Sequence, residues 1–153
     1  MIHSTPFAVG FALLLALCGS GCGDKKESRS TNTHSGPFPT LEEKQEFLER
    51  YVTFRRKYLQ LEFKISYLDG AAGRVSGPSE WDIRVLAAIP EEEIDLWVAG
   101  MIPSRKKPDT SWVRDIPNAP IDLRRYEWYG EDARKTVGVD RERRVVLYRS
   151  YSM

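Results

Sequence analysis

The sequence predicts an α+β fold, in which an N-terminal amphipathic helix and a second short helix pack on one face of a mainly antiparallel sheet of about 4–5 strands. Three observations support this prediction. Apolar side chains recur with helical spacing after residue 40, alternate with polar ones over residues 61–67 and 81–89, and alternate again near the C-terminus. Because turn-like segments separate the last strands, we expect antiparallel pairing.

A leader precedes this domain. The apolar run 7–17 is shorter than the ~20 residues that cross a bilayer as a helix, and it matches the roughly 7–15 residues of a signal-peptide apolar region. The small residues Gly19, Ser20 and Gly21 follow it, and a signal peptidase accepts only short side chains next to the cut. We therefore predict a signal peptide over residues 1–21.

The end of the leader resembles the lipobox of bacterial lipoproteins, in which two small residues, here Ser20 and Gly21, precede a cysteine that receives a diacylglyceryl thioether. Gly19 stands where that family usually has Leu. The resemblance covers only the leader and implies lipid attachment at Cys22 and anchoring to a membrane by acyl chains. Because Gly23 rather than Asp follows, the resemblance also implies outer-membrane sorting, facing the periplasm, in a Gram-negative cell.

Two alternatives stay open for the leader. Cys18 is a second candidate for modification, although Leu17 is large for the position beside that cut. An ordinary cleaved signal or an uncleaved anchor is the other alternative. The placement of the cysteines favours acylation, because both lie within the first 22 residues and the predicted domain has no cysteine with which Cys22 could form a disulfide.

Composition limits the function of the remaining chain. Residues 22–39 carry almost no apolar side chain and are predicted to be a disordered tether, whereas residues 40–153 suffice for a single α+β domain. With 23 basic and 22 acidic residues, the net charge of +1 argues against a nucleic-acid partner. The two histidines, His3 and His34, precede the domain, so we expect no metal, no other cofactor and no catalytic histidine.

The first helix of the domain is predicted from its capping residues and its aromatic stripe. Thr40 and Glu43 have the spacing of a capping box. The stripe recurs at intervals of four, three and four residues, which predicts a helix continuing to about residue 58 and facing a core. The members of the stripe are Phe47, Tyr51, Phe54 and Tyr58.

The rest of the domain is predicted to be rich in strands. A hairpin loop over 69–79 joins the first two strands, and a short helix then starts at Pro90 and stops at Pro103. Further strands are predicted at 126–129, 134–140 and 144–151, with a tight turn around 140–143. In this closing hairpin we expect Val137 and Val139 to pair with Val145 and Leu147.

The irregular stretch 104–125 is the predicted binding segment, because connections of this length are uncommon in compact domains and often carry function. Its candidate binding residues are Trp112 and the basic residues Arg105, Lys106 and Lys107, which would also attract anionic lipid headgroups. The alternative interpretation is a proline-stiffened crossover that Trp112 holds in place.

These observations predict a lipid-anchored envelope protein that is not an enzyme. Its domain is expected to be a binding or interaction module that holds another envelope protein or a small apolar ligand. One alternative is a carboxylate-dependent hydrolase acting on envelope polymers, with acid pairs such as Asp82 with Glu80 or Asp115 with Asp122. A structural spacer without a ligand is the third interpretation.

The lipid anchor is tested by replacing the predicted attachment residue. We expect Cys22→Ala to move the protein from the membrane fraction to the soluble fraction, because two or three acyl chains hold a protein on a membrane almost permanently. Intact-mass analysis of the unaltered protein should find a lipidated chain beginning at Cys22, and the control Cys18→Ala should leave the anchor in place. An unmodified thiol at Cys22 contradicts the prediction.

Overall fold

The structure is a computed structural model that describes residues 30–70, 77–132 and 134–152. The predicted signal peptide and the lipid-attachment residue Cys22 lie outside these residues. Across the described ranges, no helix is both long and apolar enough to cross a membrane.

One antiparallel sheet dominates the fold, and two short helices accompany it. The six strands lie in the spatial order β1-β2-β3-β6-β5-β4. The sheet has more strands than the predicted 4–5, because one strand forms within the expected tether in addition to the five predicted in the domain. The strands are β1 (Thr31–His34), β2 (Gln60–Leu68), β3 (Glu80–Ala88), β4 (Glu127–Asp132), β5 (Lys135–Asp140) and β6 (Val145–Tyr151).

Strand β1 corrects the prediction of a disordered tether for residues 30–39, whereas residues 22–29 of that tether lie outside the described residues. Thr31 pairs with Tyr67 and His34 with Lys64, so this segment extends the edge of the sheet beside β2. Ser35, which follows β1, is fully buried and exchanges hydrogen bonds with the backbone of Phe63 at 3.0 and 3.1 Å. Backbone pairing and one buried hydroxyl therefore order a segment that has little apolar surface to bury.

Helix α1 (Leu41–Glu49) begins as predicted but ends nine residues before the predicted end at Tyr58. The Thr40 hydroxyl accepts a hydrogen bond from the backbone N–H of Glu43 at 3.2 Å, which caps the first turn. After the helix, the chain has no regular secondary structure until β2, and Arg55 lies in the left-handed region at φ 54°.

Tertiary packing explains why the helix stops early. The ring centroid of Phe54 lies 4.7 Å from those of both Trp97 and Tyr148, and Tyr58 is buried farther along the sheet. The backbone N–H of Leu59 then donates to the carbonyl of Ala88 at 2.7 Å. A helix rises only about 1.5 Å per residue, whereas a non-helical chain can rise up to about 3.3 Å. The segment between α1 and β2 can therefore reach these contacts with fewer residues than a helix would need.

The two helices pack on the same face of the sheet, which we call the front face. Its core contains Phe63 of β2, Val85 of β3 and Tyr148 of β6. Leu48 of α1 packs there, as does Trp97 of α2 (Ile94–Val98), which follows a short 3₁₀ helix over Glu91–Glu93. This face supplies the larger of the two apolar clusters.

The opposite face, the back face, is covered in part by the irregular stretch 104–125. A 3₁₀ helix over Ser111–Asp115 places Trp112 in a second apolar cluster with Trp128 and Leu147. Trp128 pairs across the strands with Gly138, and a Cβ atom at Gly138 would lie 2.6 Å from Cζ3 of that indole. The absence of a side chain at Gly138 therefore lets the indole lie directly on β5.

The closing hairpin forms with a different register from the predicted one. Val137 pairs with Tyr148 and Val139 with Val146, rather than with Leu147 and Val145. The turn leaves residues 141–144 between the strands, so that Asp140 stands opposite Val145. A one-residue shift exchanges the faces of a strand, and the observed register directs both valines into the front-face core.

The outer edge of β4 is protected by the chain that leaves α2. Pro103 forms an isolated antiparallel bridge with Tyr129, and the Ser104 N–H donates to the Trp128 carbonyl at 2.7 Å. The Gly130 N–H donates to the carbonyl of Ile102 at 3.2 Å. This coverage satisfies edge groups that would otherwise pair with another chain.

The contact between Trp128 and Gly138 gives a stability prediction. Gly138→Ala should lower the free energy of unfolding by about 1–3 kcal/mol, because the new methyl group forces the indole out of a packed cluster. Chemical denaturation measures the change. Gly77→Ala is the control, since no atom lies within 4 Å of its Cβ position, and it should change stability by less than about 0.5 kcal/mol. Equal effects of the two substitutions contradict the packing argument.

Candidate functional site

A row of basic side chains crosses the back face from one strand to the next. The register places His34 of β1 opposite Lys64 of β2, Lys64 opposite Arg84 of β3, and Arg84 opposite Arg149 of β6. Like charges directly opposite one another destabilise a sheet. Such a row therefore needs acidic partners close by.

Asp82 is the main acidic partner of this row. Arg84 donates from Nε and Nη2 to its two carboxylate oxygens at 3.1 and 2.6 Å, and Arg149 does the same at 3.1 and 2.9 Å. Burial raises the pKa of Asp82, but the hydrogen bonds and charges of the two guanidinium groups outweigh this effect and hold the pKa below 3.8. Asp82 is therefore ionised at neutral pH and orients both arginines.

An open cleft of about 450 Å³ lies at the β1 end of the row. We call it the basic cleft, and it is lined by His34, Lys64, Arg84, Arg114, Asp115, Ile116 and Pro117. The 3₁₀ helix Ser111–Asp115 supplies one basic and one acidic member. Asp115 accepts a hydrogen bond from Nη1 of Arg84, so this carboxylate already has a partner. The cleft therefore has an excess of positive charge.

A second cleft, of about 330 Å³, lies where the stretch 104–125 meets β5 and β6, and we call it the lysine cleft. Its lining includes the basic residues Lys106, Lys107 and Arg149, together with Trp112, Tyr151 and one acid, Asp109, which accepts hydrogen bonds from Ser111. The guanidinium carbon of Arg149 lies 4.5 Å from the ring centroid of Tyr151, a cation–π distance. Arg149 thus connects the row of basic residues to this cleft.

The structure brings together three of the four binding residues predicted from the sequence. Lys106 and Lys107 are exposed and line the lysine cleft, whereas Arg105 is exposed but outside its lining. Trp112 is only 3% exposed, and its indole N–H donates to the carbonyl of Asp109 at 2.9 Å. Trp112 is therefore mainly a packing residue, which is the crossover role considered as the alternative.

Three of the four acids considered for hydrolysis form ion pairs with arginines, and the fourth, Glu80, is exposed. Besides the ion pair of Asp115 with Arg84, Asp122 pairs with Arg124 at 2.9 Å, and hydrogen bonds from Arg124 hold the pKa of Asp122 well below its usual value. A general acid needs a raised pKa, so Asp122 and Asp82, whose pKa values are both lowered, are poorly suited to that role.

A further carboxylate lies in a cleft of about 540 Å³ beside α1. Glu62 accepts hydrogen bonds from Nζ of Lys44 at 2.8 Å and from the Ser35 hydroxyl, and its other neighbour is Asn118 at 3.4 Å. Burial raises the pKa of Glu62, but these hydrogen bonds and the charge of Lys44 lower it below 4.5. The group is an ionised structural link between β1, α1 and β2.

No set of three His, Cys, Asp or Glu side chains within the described ranges is placed to hold a metal ion. The basic side chains instead make the basic cleft and the lysine cleft chemically suited to anions.

Sequence reasoning did not identify His34, Lys64, Arg84 and Arg149 as neighbours. The alternation in the first two strands placed Lys64 and Arg84 on the polar face, and a symmetric hairpin would have paired them. His34 was assigned to the predicted tether, so no pattern in the sequence indicated that it would lie in this row. Comparison with family models, curated proteins and solved structures gave no match to this chain.

Asp82 should make stability depend on pH. Its pKa is lower in the folded chain than the ordinary value of 3.8, so its contribution is fully present above that value and is lost as the pH falls below it toward the folded pKa. Asp82→Asn should lower the free energy of unfolding at pH 7 by about 2 kcal/mol, because two guanidinium groups lose a charged acceptor.

Denaturation curves at pH 7 and pH 3 provide the measurement. The difference in stability between these pH values should be smaller for Asp82→Asn than for the unaltered protein. The matched control is Asp95→Asn, which removes a carboxylate that is 84% exposed from its pair with Arg141 and should have a clearly smaller effect. An unchanged pH dependence in Asp82→Asn would exclude the proposed role of Asp82.

Proposed function

We propose that this chain is an exported lipoprotein, held on a membrane by acyl chains on Cys22, and that its folded domain is a non-catalytic binding module of the cell envelope. In a Gram-negative cell, its location would be the outer membrane, facing the periplasm. The partner is another envelope component that carries negative charge. The observation that carries the binding role is the excess of basic groups in the two adjacent clefts of the back face.

The arrangement of Lys106 and Lys107 supports binding rather than catalysis. Both are exposed in the lysine cleft, and neither forms a salt bridge with an acid in the part of the chain that the structure describes. Arg149 lies in the same cleft and is oriented by Asp82. A fixed guanidinium beside two free ammonium groups attracts an acidic surface over a distance of about a Debye length.

The start of β1 limits how far the domain can stand from its proposed anchor. The chain from Cys22 to Thr31 spans at most about 30 Å, since each residue adds no more than about 3.6 Å. The partner must therefore lie at or near the membrane surface. Envelope proteins and anionic headgroups meet this condition.

Site-specific photo-crosslinking tests the binding surface. A photoreactive residue in place of Arg105, beside the lysine cleft, should give a discrete adduct in intact cells, whereas the same residue in place of Lys57 should not. Lys57 is exposed and lies in the segment between α1 and β2, whose apolar side chains pack on the front face. Lys106→Gln with Lys107→Gln should reduce the adduct at position 105 several-fold, because charges at an interface rim mainly set the association rate.

A charge-matched control uses Arg55→Gln with Lys57→Gln, which removes two exposed cations elsewhere. This variant should leave the adduct at position 105 unchanged. The same adduct yield at positions 105 and 57, or equal losses in both double variants, would contradict a binding surface on the back face.

A further inference from the structure

The basic cleft contains two cations without an acidic partner. Lys64 of β2 is half-buried and Arg114 of the 3₁₀ helix is exposed, and both line the cleft. Neither forms a salt bridge with any acid among residues 30–70, 77–132 and 134–152. The acid nearest in the lining, Asp115, is bound by Arg84. An anion in this open cleft would therefore meet both positive charges.

His34 adds a donor whose orientation is fixed by a hydrogen bond. The backbone N–H of Gly36 donates to Nδ1 of His34 at 3.0 Å. Because Nδ1 accepts a hydrogen bond, the neutral imidazole carries its hydrogen on Nε2, and this N–H is available to a ligand in the cleft.

Gly36 is needed for this orientation. A Cβ atom at Gly36 would lie 2.7 Å from Cε1 and 2.8 Å from Nδ1 of His34, closer than real Cβ contacts. Only glycine lets its own N–H approach the ring in this way. The position of the imidazole is thus set by a backbone feature and not by the ligand.

Three donors of different chemistry therefore line one cleft: an ammonium, a guanidinium and an imidazole N–H. A tetrahedral oxyanion offers several acceptor atoms to such a set, and guanidinium matches phosphate geometry with two parallel hydrogen bonds. We propose that the basic cleft binds a phosphate group through Lys64, Arg114 and His34. This inference rests on the proposed function, because it names the ligand of the binding module.

The phosphate could belong to a lipid headgroup or be free in solution, and the proposed anchor favours the headgroup. The chain from Cys22 to His34 spans at most about 40 Å. A domain anchored at that distance repeatedly meets headgroup phosphodiesters at the membrane surface. We therefore expect the phosphodiester of an anionic phospholipid to bind more tightly than inorganic phosphate.

The test uses the full-length lipidated protein, purified in a neutral detergent. Inorganic phosphate, glycerophosphoglycerol and zwitterionic glycerophosphocholine are titrated by calorimetry at constant salt. Lys64→Gln with Arg114→Gln should weaken binding of the preferred probe at least about tenfold, because charged hydrogen bonds are lost from both ammonium and guanidinium groups. Arg55→Gln with Lys57→Gln removes the same charge at exposed positions outside both clefts and should change the affinity less than about twofold.

Gly36→Ala tests the positioning of His34 without changing any charge. It should weaken phosphate binding about threefold, while the melting temperature and the far-UV circular dichroism stay close to those of the unaltered protein. His34→Phe, which removes the Nε2 donor, should weaken binding to a similar extent. Unchanged affinity in both variants would remove His34 from the site and overturn the three-donor proposal.

The remaining outcomes are also decisive. Tighter binding of glycerophosphoglycerol supports the headgroup source, and tighter binding of inorganic phosphate supports the free ion. Equal losses in the Lys64/Arg114 and Arg55/Lys57 double variants would show general attraction of anions and overturn the site. Failure of both anionic probes to bind would also overturn it, whereas the proposed function is judged separately by the Cys22→Ala and photo-crosslinking results.

Discussion

The packing of the stretch 104–125 on the back face is the interaction on which the two clefts depend. One half of that face is apolar, and Trp112 and Trp128 cover it together with Leu147 of β6. The other half is polar and carries the row of basic residues. Because burial of the apolar half fixes the 3₁₀ helix over the sheet, it also brings Arg114 to the basic cleft and Lys106 to the lysine cleft. Hydrophobic packing thus positions charges that would repel one another in a less constrained chain.

Asp82 makes this concentration of charge compatible with folding. Arg84 and Arg149 each donate to both oxygens of its carboxylate. These hydrogen bonds orient the two guanidinium groups, and the negative charge reduces the repulsion between them. Asp115 accepts a further hydrogen bond from Arg84. The acids reduce the charge at Arg84 and Arg149. Positive charge remains on Lys64 and Arg114 in the basic cleft and on Lys106 and Lys107 in the lysine cleft. This distribution, rather than the net charge of +1, determines where an anion can bind.

The sequence predicted those parts of the fold that local periodicity determines. The alternation that predicted β2 and β3 is confirmed, because every second residue is buried from Leu61 to Ile65 and from Ile83 to Ala87. The predicted end of α1 was wrong, since the spacing of Tyr51 and Phe54 fits a helix equally well and only the contacts of Phe54 with Trp97 and Tyr148 favour the irregular chain. Strand β1 was missed because backbone hydrogen bonds, and not apolar side chains, hold it. The basic cleft combines three distant segments, which periodicity in one sequence cannot relate.

Strand β1 links the proposed anchor to the proposed phosphate site. Its pairing with β2 ends at His34, and the next residue, Ser35, is fixed by hydrogen bonds to the backbone of Phe63 and to Glu62. Any force transmitted from the membrane along the chain therefore reaches β1 first and is resisted at Ser35. If β1 detaches from the sheet, the cleft loses the imidazole donor together with the strand. The basic cleft is therefore complete only when β1 is paired with the sheet. The proposed phosphate site thus lies in the part of the domain that is closest along the chain to the proposed lipid.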